Sequence, residues 1–511
     1  MNQAYLIGID CGSTMVKAAI FDRSGKEFAS AGRKIDHIYL HAGWTENDMD
    51  KVWASVCEVL REIIEKSKIN PELIEAVTCT GHGNGLYLVD RDGKPARNGI
   101  ISSDNRARKY IEEWTTQNTL DKILHKTMQS IWAAQPNALL RWLIDNEPET
   151  LAKTQYLFMV KDFIRYRLTG DAYMELSDMS ATSLINVGTG DYDNEVLDVW
   201  GLSDWKHIMP PIKRSADDCG TISTEAARVT GLTAGTLVAG GMFDIDACGL
   251  AVGMTDESRF CMVAGTWGNN QFISSKPIVD HDVFMTSCYS IDGYYLVLEG
   301  SATSASNLEW FVTQFFASDK ELLKNTDTDK NIYEYCSDLV ASTETATDDG
   351  ITFIPFLYGN PVDLDAKACL FGLDGRHTRA QVMRAVFEGV VFGHRWHTER
   401  LLRFIKKPTT IRLTGGAVNS DIWAQMFADI LQIPVEIPEG TELGCFGAAI
   451  CGAVAARLYK SYDEACENMV KLARTFQPNK NLAELYNKKY NRYKKLLDTL
   501  EPVWKELKPI Q

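Results

Sequence analysis

The opening of the chain alternates apolar and polar residues in the way that β-strands require. Two apolar runs, Tyr5–Ile9 and Met15–Phe21, show a period of two and are joined by a turn of small residues. This pattern predicts a β-hairpin in which Asp10 ends the first strand. A carboxylate followed by the small-residue turn Cys11–Thr14 suits a Mg²⁺–phosphate ligand. An aspartate that simply begins a hairpin turn explains these residues equally well.

Further along, the apolar pattern predicts strands that alternate with helices. Met49–Lys66 has apolar residues at helical spacing, and Ile74–Thr80 has the composition of a buried strand. Ala380–Leu402 is predicted to be a long helix. Such alternation is typical of α/β proteins.

A second unit begins near Ser258 and repeats the layout of the opening hairpin. Arg259–Ala264 is predicted to be a strand, a Gly/Thr turn follows, and Gln271–Ser274 is the return strand. At 511 residues the chain is too long for one compact core. We therefore predict two domains, residues 1–254 and 255–511, built on the same hairpin arrangement.

Composition narrows the functional class. The chain is 45% hydrophobic and 24% charged, with a net charge of −15, which argues against nucleic acid or an anionic membrane as its main partner. Twelve cysteines are scattered without a C-x-x-C pair, which indicates reduced thiols and a cytoplasmic protein. The sequence begins without a signal-peptide pattern and has no apolar run long enough to span a bilayer.

Several common catalytic motifs are absent from the sequence. It contains no G-x-x-x-x-G-K-[ST], H-E-x-x-H or G-x-S-x-G segment. The glycine loop Gly81–Gly85 joins strand to strand, so it does not fit a dinucleotide fingerprint, which requires a following helix. The pairs His37/His41 and His394/His397 could each share a helix face, but without a third ligand, packing or surface roles are favoured.

What remains is a set of small-residue turns at the ends of apolar strands in both halves. Their recurrence predicts a cleft that cradles a polyphosphate. Asp244 starts a predicted helix, where a helix N-cap is the alternative to a chemical role. The turns are Asp10–Thr14, Gly81–Gly85, Gly240–Asp244, Gly265-Thr266, Gly300-Ser301, and Gly415-Gly416 with Asn419.

Taken together, these segments resemble the FGGY family of carbohydrate kinases, of the actin/hexokinase superfamily, over essentially the whole chain. The opening hairpin and Gly240–Asp244 resemble the family's two phosphate motifs. The most specific match is Ala368–Leu373, followed after seven residues by Gln381–Glu388. The resemblance implies an α/β fold of two ribonuclease-H-like (actin/hexokinase-type) domains with an ATP/sugar cleft between them.

The resemblance also implies the cofactors ATP and Mg²⁺ and a role for each matched residue. Asp244 corresponds to the catalytic base and Asp10 to the metal-binding acid. His82, Asn84 and Asp104, with Asp244, are expected to bind the sugar. The expected nucleotide-binding residues are Gly12, Ser13, Thr14, Gly265, Thr266, Gly300, Gly415, Gly416 and Asn419.

Departures from the family pattern lie mainly on the sugar side. Many xylulose kinases have Gly-Gln-Met-His-Gly where this chain has Gly81–Gly85, so that Asn84 stands at the usual histidine and His82 at the glutamine. Ile245 follows the catalytic aspartate where Asn or Gln is common, and Leu139 replaces a frequent lysine. The loop Gly81–Leu86 and the segments Ser102–Arg106 and Leu139–Leu143 look most like the L-xylulose (3-keto-L-gulonate) kinase branch.

The expected function is therefore ATP-dependent phosphorylation of a terminal hydroxyl of a linear ketose, with L-xylulose giving L-xylulose 5-phosphate as the first choice. D-xylulose, 3-keto-L-gulonate, L-ribulose and erythritol are alternative substrates. A sugar-independent ATPase or sensor of the same superfamily is the non-kinase alternative. The expected partners are a small-molecule sugar and ATP, not nucleic acid or membrane, and a homodimer is left open.

Overall fold

The computed structural model describes residues 3–301, 303–325, 330–344, 347–359 and 365–507. Its contacts divide the chain into two units that are not contiguous in sequence. Unit 1 comprises Met1–Thr255, Ile273–Val297 and Gly440–Lys471, and unit 2 comprises Asp256–Phe272, Leu298–Glu439 and Leu472–Gln511. Two segments of the second half of the sequence thus belong to unit 1, and the division at residues 254 and 255 stays a prediction.

The strands of the described residues are mostly short. In chain order they are β1 Tyr5–Cys11, β2 Met15–Asp22, β3 Glu27–Lys34, β4 His37–Ile38, β5 Glu46–Asn47, β6 Ile74–Gly81, β7 Tyr87–Asp90, β8 Gly99–Ile100, β9 Thr154–Phe158, β10 Met174–Glu175, β11 Ile185–Asn186, β12 Asp191–Tyr192, β13 Ile212–Lys213, β14 Asp218–Thr221, β15 Leu237–Ala239, β16 Met242–Phe243, β17 Arg259–Ala264, β18 Gly268–Ser274, β19 Met285–Cys288, β20 Tyr295–Ser301, β21 Thr352–Ile354, β22 Cys369–Phe371, β23 Thr410–Thr414, β24 Val435–Pro438 and β25 Leu472–Phe476.

The helices of the described residues surround these strands. In chain order they are α1 Met49–Ser67, α2 Arg108–Thr116, α3 Thr119–Thr127, α4 Pro136–Asn146, α5 Pro148–Lys153, α6 Val160–Thr169, α7 Leu176–Met179, α8 Asn194–Trp200, α9 Thr224–Thr230, α10 Asp244–Ala251, α11 Ser306–Phe315, α12 Ala317–Lys324, α13 Ile332–Ala341, α14 Arg379–Leu401, α15 Asp421–Leu431, α16 Leu443–Ala455, α17 Tyr462–Met469 and α18 Ala483–Trp504. In the part of the chain that the structure describes, none of them is both long and apolar enough to cross a membrane.

Unit 1 is built on a seven-stranded mixed sheet of order β14-β15-β6-β1-β2-β3, with β16 also paired to β6. The predicted opening hairpin is confirmed, because β1 and β2 pair antiparallel with Asp10 opposite Lys17. On its other side β1 runs parallel to β6. The carboxyl ends of β1, β6 and β16 therefore lie at one edge of the sheet, where acids at the strand ends come together.

Among the helices that pack on this sheet are α1 and α16. The amphipathic helix α1 contacts β2 and β3 and buries Val52, Val56 and Leu60, each of which contributes roughly 1.5–3 kcal/mol. The small-residue helix α16 contacts β1 and β6. It approaches so closely that a Cβ atom on Gly8 would lie 1.8 Å from the Cys445 carbonyl oxygen. Glycine at this position of β1 lets the helix backbone lie directly on the strand.

Unit 2 repeats the strand arrangement of unit 1. Its strands form the run β20-β18-β17-β23-β24-β25 of a seven-stranded sheet. As predicted, β17 and β18 form an antiparallel hairpin, and β17 has a parallel neighbour, β23, with Val263 opposite Thr414. The repeated unit of both sheets is thus a hairpin whose first strand also pairs with a parallel strand.

Candidate active site

Asp10 and Asp244 lie at neighbouring strand ends in unit 1. Asp10 is opposite Thr80 of β6, and Thr80 is in turn opposite Met242 of β16. Asp244 follows β16 directly and begins α10. Because all three strands run parallel, their carboxyl ends meet at the same edge of the sheet, and the fold brings the two predicted acids together.

The charge of Asp10 acts on Asp244. Burial and, next to it, the charge of Asp10 raise the pKa of Asp244 to about 7, against hydrogen bonds from the backbone N–H groups of Asp244 and Ile245. Burial raises the pKa of Asp10 to about 6, against the attraction of Lys17. An acid with a pKa near neutrality accepts a proton readily at physiological pH, which is what a general base requires.

The backbone that carries Asp244 is held by a buried hydrogen-bond chain. The Phe243 N–H donates to Ser177 Oγ at 3.0 Å, and Ser177 Oγ donates to Glu175 Oε2 at 2.8 Å. That carboxylate oxygen lies 3.5 Å from Lys161 Nζ. None of these three side chains is predictable from the sequence pattern, since they lie far from Asp244 in sequence.

Lys161 is the centre of a buried ion cluster that adjoins the hydrogen-bond chain from Phe243 to Glu175. Its Nζ lies 3.0 Å from an Asp162 oxygen and 3.4 Å from Asp178 Oδ2. Arg165 Nη1 forms a second ion pair with Asp162 at 2.8 Å. Removing one member of such a cluster leaves an uncompensated buried charge, so the loss of any one of these side chains should destabilise the fold.

Lys17 and Glu442 complete the surroundings of Asp10 and were not predicted. Lys17 faces Asp10 across the β1–β2 pair, and its Nζ lies 2.8 Å from Glu442 Oε2. A Cβ atom on Gly444 would lie 2.2 Å from Asp10 Oδ2, so glycine leaves room for the carboxylate. The hairpin register was the signal for Lys17, because closing the turn with Cys11 opposite Val16 places Lys17 opposite Asp10.

The Mg²⁺ site that the resemblance implies requires no more than one or two protein carboxylates, and Asp10 can supply one. Among the described residues no group of three or more His, Cys, Asp or Glu side chains could hold a metal ion. Mg²⁺ commonly keeps several waters and binds through one or two carboxylates together with substrate phosphates. Asp10 meets this requirement, and the turn that follows it offers half-buried Gly12 and Ser13 and exposed Thr14.

The loop Gly81–Gly85 holds its polar side chains inside the protein. His82 Nε2 lies 3.0 Å from the Tyr87 hydroxyl, and burial lowers the pKa of His82 to about 4, so the ring is neutral. Asn84 has a left-handed backbone with φ of 61°. Its buried Oδ1 has no hydrogen-bond partner among the described residues. An unpaired buried acceptor costs about 1–3 kcal/mol, which a ligand hydroxyl would relieve.

Asp104 is fully engaged within the protein. Its oxygens accept hydrogen bonds from the Thr45 N–H at 2.7 Å and from Arg106 Nε and Nη2 at 2.9 Å each. Arg106 lies between the rings of Trp44 and Trp142, 4.4 and 5.1 Å from their centroids. Its buried Nη1 has no hydrogen-bond partner among the described residues. Sugar binding by Asp104 stays a prediction, and Arg106 offers the free donor beside it.

Unit 2 contains a cavity of about 590 Å³ at the ends of its repeated hairpin. This volume is in the range of small-molecule sites. Four of the residues predicted to bind nucleotide line it: Gly265, Thr266, Gly416 and Asn419.

Gly415 and Gly300 are not among the lining residues of this cavity. Gly415 has φ of +87°, and a Cβ atom there would lie 2.5 Å from the Ala264 carbonyl carbon, so it packs one turn against the other. Gly300 lies within β20, where a Cβ atom would lie 3.1 Å from Asn269 Oδ1. Direct nucleotide contact by these two glycines stays a prediction, with a packing role visible for each.

The cavity also has a wall that sequence reasoning missed, formed by the start of α13 and by α15. Asn331 caps α13 in a reciprocal pair with Glu334, and both line the cavity. Trp423 stacks on Phe387 with centroids 4.5 Å apart, and both rings line it too. Flat rings beside polar groups suit a nucleotide base. The spacing Asn331-x-x-Glu334 was a readable helix-start signal.

Comparisons with known proteins find similar sequences over both halves of the chain. The model of the FGGY family of carbohydrate kinases, N-terminal domain, matches residues 5–251, and that of the C-terminal domain matches residues 261–456. The chain is 35% identical over 499 residues to the L-xylulose/3-keto-L-gulonate kinase of Escherichia coli (strain K12), covering 97% of each chain. It is 26% identical to the xylulose kinase of Bacillus subtilis (strain 168), over 96% of each.

Solved structures show the same fold. Ligand-bound xylulose kinase from Lactobacillus acidophilus superposes with a TM-score of 0.89 at 23% identity, covering 99% of this chain and 100% of that one. Plasmodium falciparum glycerol kinase with ADP superposes with a TM-score of 0.84 at 18% identity, covering 96% and 98%. The two mixed α/β units are therefore those of the actin-like sugar-kinase fold.

Proposed function

This chain belongs to the FGGY family of carbohydrate kinases and is a carbohydrate kinase, and from that premise we propose a specific reaction for it. It transfers the γ-phosphoryl group of ATP to a terminal hydroxyl of a linear ketose, with L-xylulose as the favoured substrate. The observation that carries this proposal is the pairing of Asp10 and Asp244 at adjacent strand ends, with the pKa of Asp244 raised to about 7.

In the proposed mechanism Asp244 acts as the general base. Its carboxylate accepts the proton of the sugar hydroxyl while that oxygen attacks the γ-phosphorus in line and the bond to the ADP oxygen breaks. The hydrogen-bond chain from Phe243 through Ser177 to Glu175 keeps the backbone of Asp244 in position for this transfer. Position matters because proton transfer requires hydrogen-bond distance to the reacting group.

The phosphates are proposed to bind at the small-residue turns. Backbone N–H groups of Gly12–Thr14 and of Gly265-Thr266 would stabilise charge on the β- and γ-phosphates. Lys17, beside Asp10, adds a positive charge at the first of these turns. Asp10 would hold Mg²⁺, which neutralises phosphate charge when it is bound. The adenosine would occupy the 590 Å³ cavity near Asn419, beside the stacked rings of Phe387 and Trp423.

The sugar is proposed to bind at the loop Gly81–Gly85 and the neighbouring segment. Asn84 Oδ1 and Arg106 Nη1 are a buried acceptor and a buried donor with no partner among the described residues. His82 and Asp104 would support them, and half-buried Trp132 would form a wall. A site that pairs each hydroxyl rejects analogues strongly, since a mismatch leaves buried polar groups unpaired.

L-xylulose is favoured because the Escherichia coli relative named L-xylulose/3-keto-L-gulonate kinase is similar over nearly the whole chain. The relatives named xylulose kinase keep D-xylulose among the alternatives. 3-Keto-L-gulonate, L-ribulose and erythritol are the others. Free cysteines that are all buried or half-buried support a cytoplasmic location.

A coupled assay for ADP over a panel of these sugars and glycerol tests the proposal. We expect ADP release only when sugar is present, with the highest kcat/KM for L-xylulose. A higher kcat/KM for another sugar would replace the substrate and keep the reaction. ADP release at the same rate without sugar would favour the ATPase alternative.

A further inference from the structure

A buried histidine in unit 2 bridges two segments beside the nucleotide cavity, the 590 Å³ cavity in which the adenosine is proposed to bind. His394 lies on α14 with 4% of its surface exposed. Its Nδ1–H donates to Asn270 Oδ1 at 2.9 Å, and its Nε2 accepts from Ser304 Oγ at 2.8 Å. Asn270 and Ser304 are buried as well, so water does not compete for either hydrogen bond.

Each partner of His394 lies in or next to one of two turns that contain lining residues of this cavity, Gly265–Gly268 and Ser304–Ser306. Asn270 is on β18, just after the turn that carries Gly265 and Thr266. Ser304 begins the other turn, and its N–H donates to the Thr266 carbonyl oxygen at 3.2 Å. Residues of both turns line the cavity.

Further hydrogen bonds join the same two turns. The Ala305 N–H donates to the Gly265 carbonyl oxygen at 2.7 Å, and Ser306 Oγ donates to the Thr266 carbonyl oxygen at 2.9 Å. All four of these residues line the cavity. The position of Gly265 and Thr266 therefore depends on the turn Ser304–Ser306. His394 contacts Asn270, which follows the first turn, and Ser304, which begins the second.

The histidine ring also packs directly against the first turn. A Cβ atom on Gly268 would lie 3.2 Å from both His394 Cε1 and Ser304 Cβ. The bridge requires a neutral ring, because one nitrogen must donate while the other accepts. Burial provides this, since it lowers the pKa of His394 to about 3.

We propose that His394 is a positioning residue for ATP, which holds the turns Gly265–Gly268 and Ser304–Ser306 at the spacing that the phosphates require. This inference rests on the proposed function for the identity of the ligand. It assigns a role to a histidine that does not touch the nucleotide and acts through Asn270 and Ser304.

His397 provides a matched control on the same helix. It is also buried and, like His394, is not among the residues that line the nucleotide cavity, but its Nδ1 lies 3.1 Å from Glu299 Oε2 of β20, where His394 pairs with Asn270 and Ser304. A histidine that served only to pack α14 would be equivalent to His397. A positioning histidine would affect nucleotide binding where His397 does not.

The test compares His394→Leu, His394→Gln, Ser304→Ala and His397→Gln with the unmodified full-length chain. ATP affinity is measured by titration calorimetry, the KM values for ATP and sugar by the ADP assay, and folding by Tm. We expect His394→Leu to weaken ATP binding about tenfold, because two buried groups lose their partner. The KM for sugar should change less than about twofold, well below the tenfold loss expected for ATP.

Rescue by the conservative variant separates positioning from packing. His394→Gln can still offer an acceptor to Ser304 and should recover most of the ATP affinity. Ser304→Ala should weaken ATP binding as much as His394→Leu does. The double variant His394→Leu/Ser304→Ala should bind ATP no more weakly than either single variant. His397→Gln should keep the ATP affinity of the unmodified chain.

An unchanged ATP affinity in both His394→Leu and Ser304→Ala would overturn the inference, and so would an equal loss in His397→Gln. Should His394→Leu fail to fold, Ser304→Ala and His394→Gln decide the question. If the unmodified chain binds ATP but phosphorylates no sugar, the proposed function fails while the ATP affinities still test the inference. Absence of ATP binding by the unmodified chain would overturn both.

Discussion

The acid site of unit 1 and the proposed nucleotide cavity of unit 2 are built on the same strand arrangement but carry different residues. In unit 1 the strand ends carry Asp10 and Asp244, whose pKa values are raised by burial. In unit 2 the turn of the corresponding hairpin contains Gly265 and Thr266. His394 lies behind this turn, and its ring is neutral because burial lowers its pKa. The repeated fold thus provides a similar position in each unit, and the residues placed there suit the proposed proton transfer in unit 1 and the proposed nucleotide binding in unit 2.

The two units also bury different polar groups near these sites. Unit 1 buries Asn84 Oδ1 and Arg106 Nη1 without partners among the described residues, which is a cost that a sugar would relieve. In unit 2 His394 pairs with both Ser304 and Asn270 behind the cavity, while Asn270 Nδ2 has no partner among the described residues. We therefore expect substitutions in unit 1 to change chemistry and sugar choice, and those in unit 2 to change ATP affinity or stability.

The largest effect should come from Asp244→Asn. Removing the base should lower kcat by about 10²–10⁴-fold while ATP binding stays near normal, because the amide cannot accept the hydroxyl proton. Steady-state kinetics and calorimetric ATP titration measure the two effects. Near-normal turnover in this variant would contradict the assignment of Asp244 as the base.

Asp246→Asn is the matched control on the same helix. Burial holds the pKa of Asp246 well above its usual value, which favours the neutral acid, and the amide has the same shape as that acid. Its Oδ1 accepts hydrogen bonds from the Ser290 N–H and Oγ, which an asparagine oxygen can also do. We expect kcat to change little.

The second prediction concerns pH. Asp244 has a pKa raised to about 7, and only its deprotonated form accepts a proton, so kcat should fall as the pH is lowered through that value. Well below the pKa the fall approaches about tenfold per pH unit. Bound Mg²⁺ would shift the limb to lower pH, because a cation favours the carboxylate. A pH–rate profile that is flat from pH 5 to 8 would refute this role for Asp244.

Next in size is the effect of Asn84 on the sugar. Asn84→Gly keeps the left-handed backbone but removes the unpaired oxygen, so the KM for sugar should rise about tenfold with ATP affinity unchanged. Asn84→Asp, which retains an acceptor, should lose less. Equal losses of sugar and ATP affinity would show instead that the loop supports the whole site.

The smallest effect is expected on stability alone. Gly415→Ala forces a left-handed backbone on alanine and brings its Cβ to 2.5 Å from the Ala264 carbonyl carbon, so Tm should fall. Gly350→Ala has a similar φ of +84° with no heavy atom within 4 Å of the new Cβ, and it isolates the backbone strain. Strain costs about 1 kcal/mol, and the clash adds about 1–3 kcal/mol. Equal Tm changes in Gly415→Ala and Gly350→Ala would rule out close packing of the turn at Gly415 against Ala264.

Much of the fold was predictable from local pattern. Arg259–Ala264 was predicted to the residue, and the helix predicted over Ala380–Leu402 is observed at Arg379–Leu401. Membership of the FGGY family is confirmed by the matches to both of its domain models. These succeed because hydrophobic periodicity and turn residues act within a few positions of each other.

The site was only partly predictable. Asp10 and Asp244 stand out because a carboxylate after an apolar strand has no packing role. Ser177 and Glu442 do not stand out in this way. Ser177 accepts a hydrogen bond from the Phe243 N–H, 66 positions away in sequence, and Glu442 pairs with Lys17 at the other end of the chain. Nothing local distinguishes a serine or glutamate with such a partner from one that faces water.

The sequence by itself determined the strands and turns of both hairpins, the two acids and the family, since each depends on neighbouring residues or on recurring spacing. Only the tertiary structure decided that residues 440–471 belong with unit 1, that Lys17 and Glu442 pair beside Asp10, and that His394 joins two turns. The reason is physical. Pairing of distant residues depends on how sheets and helices pack, and a pattern of a few residues carries no record of that packing.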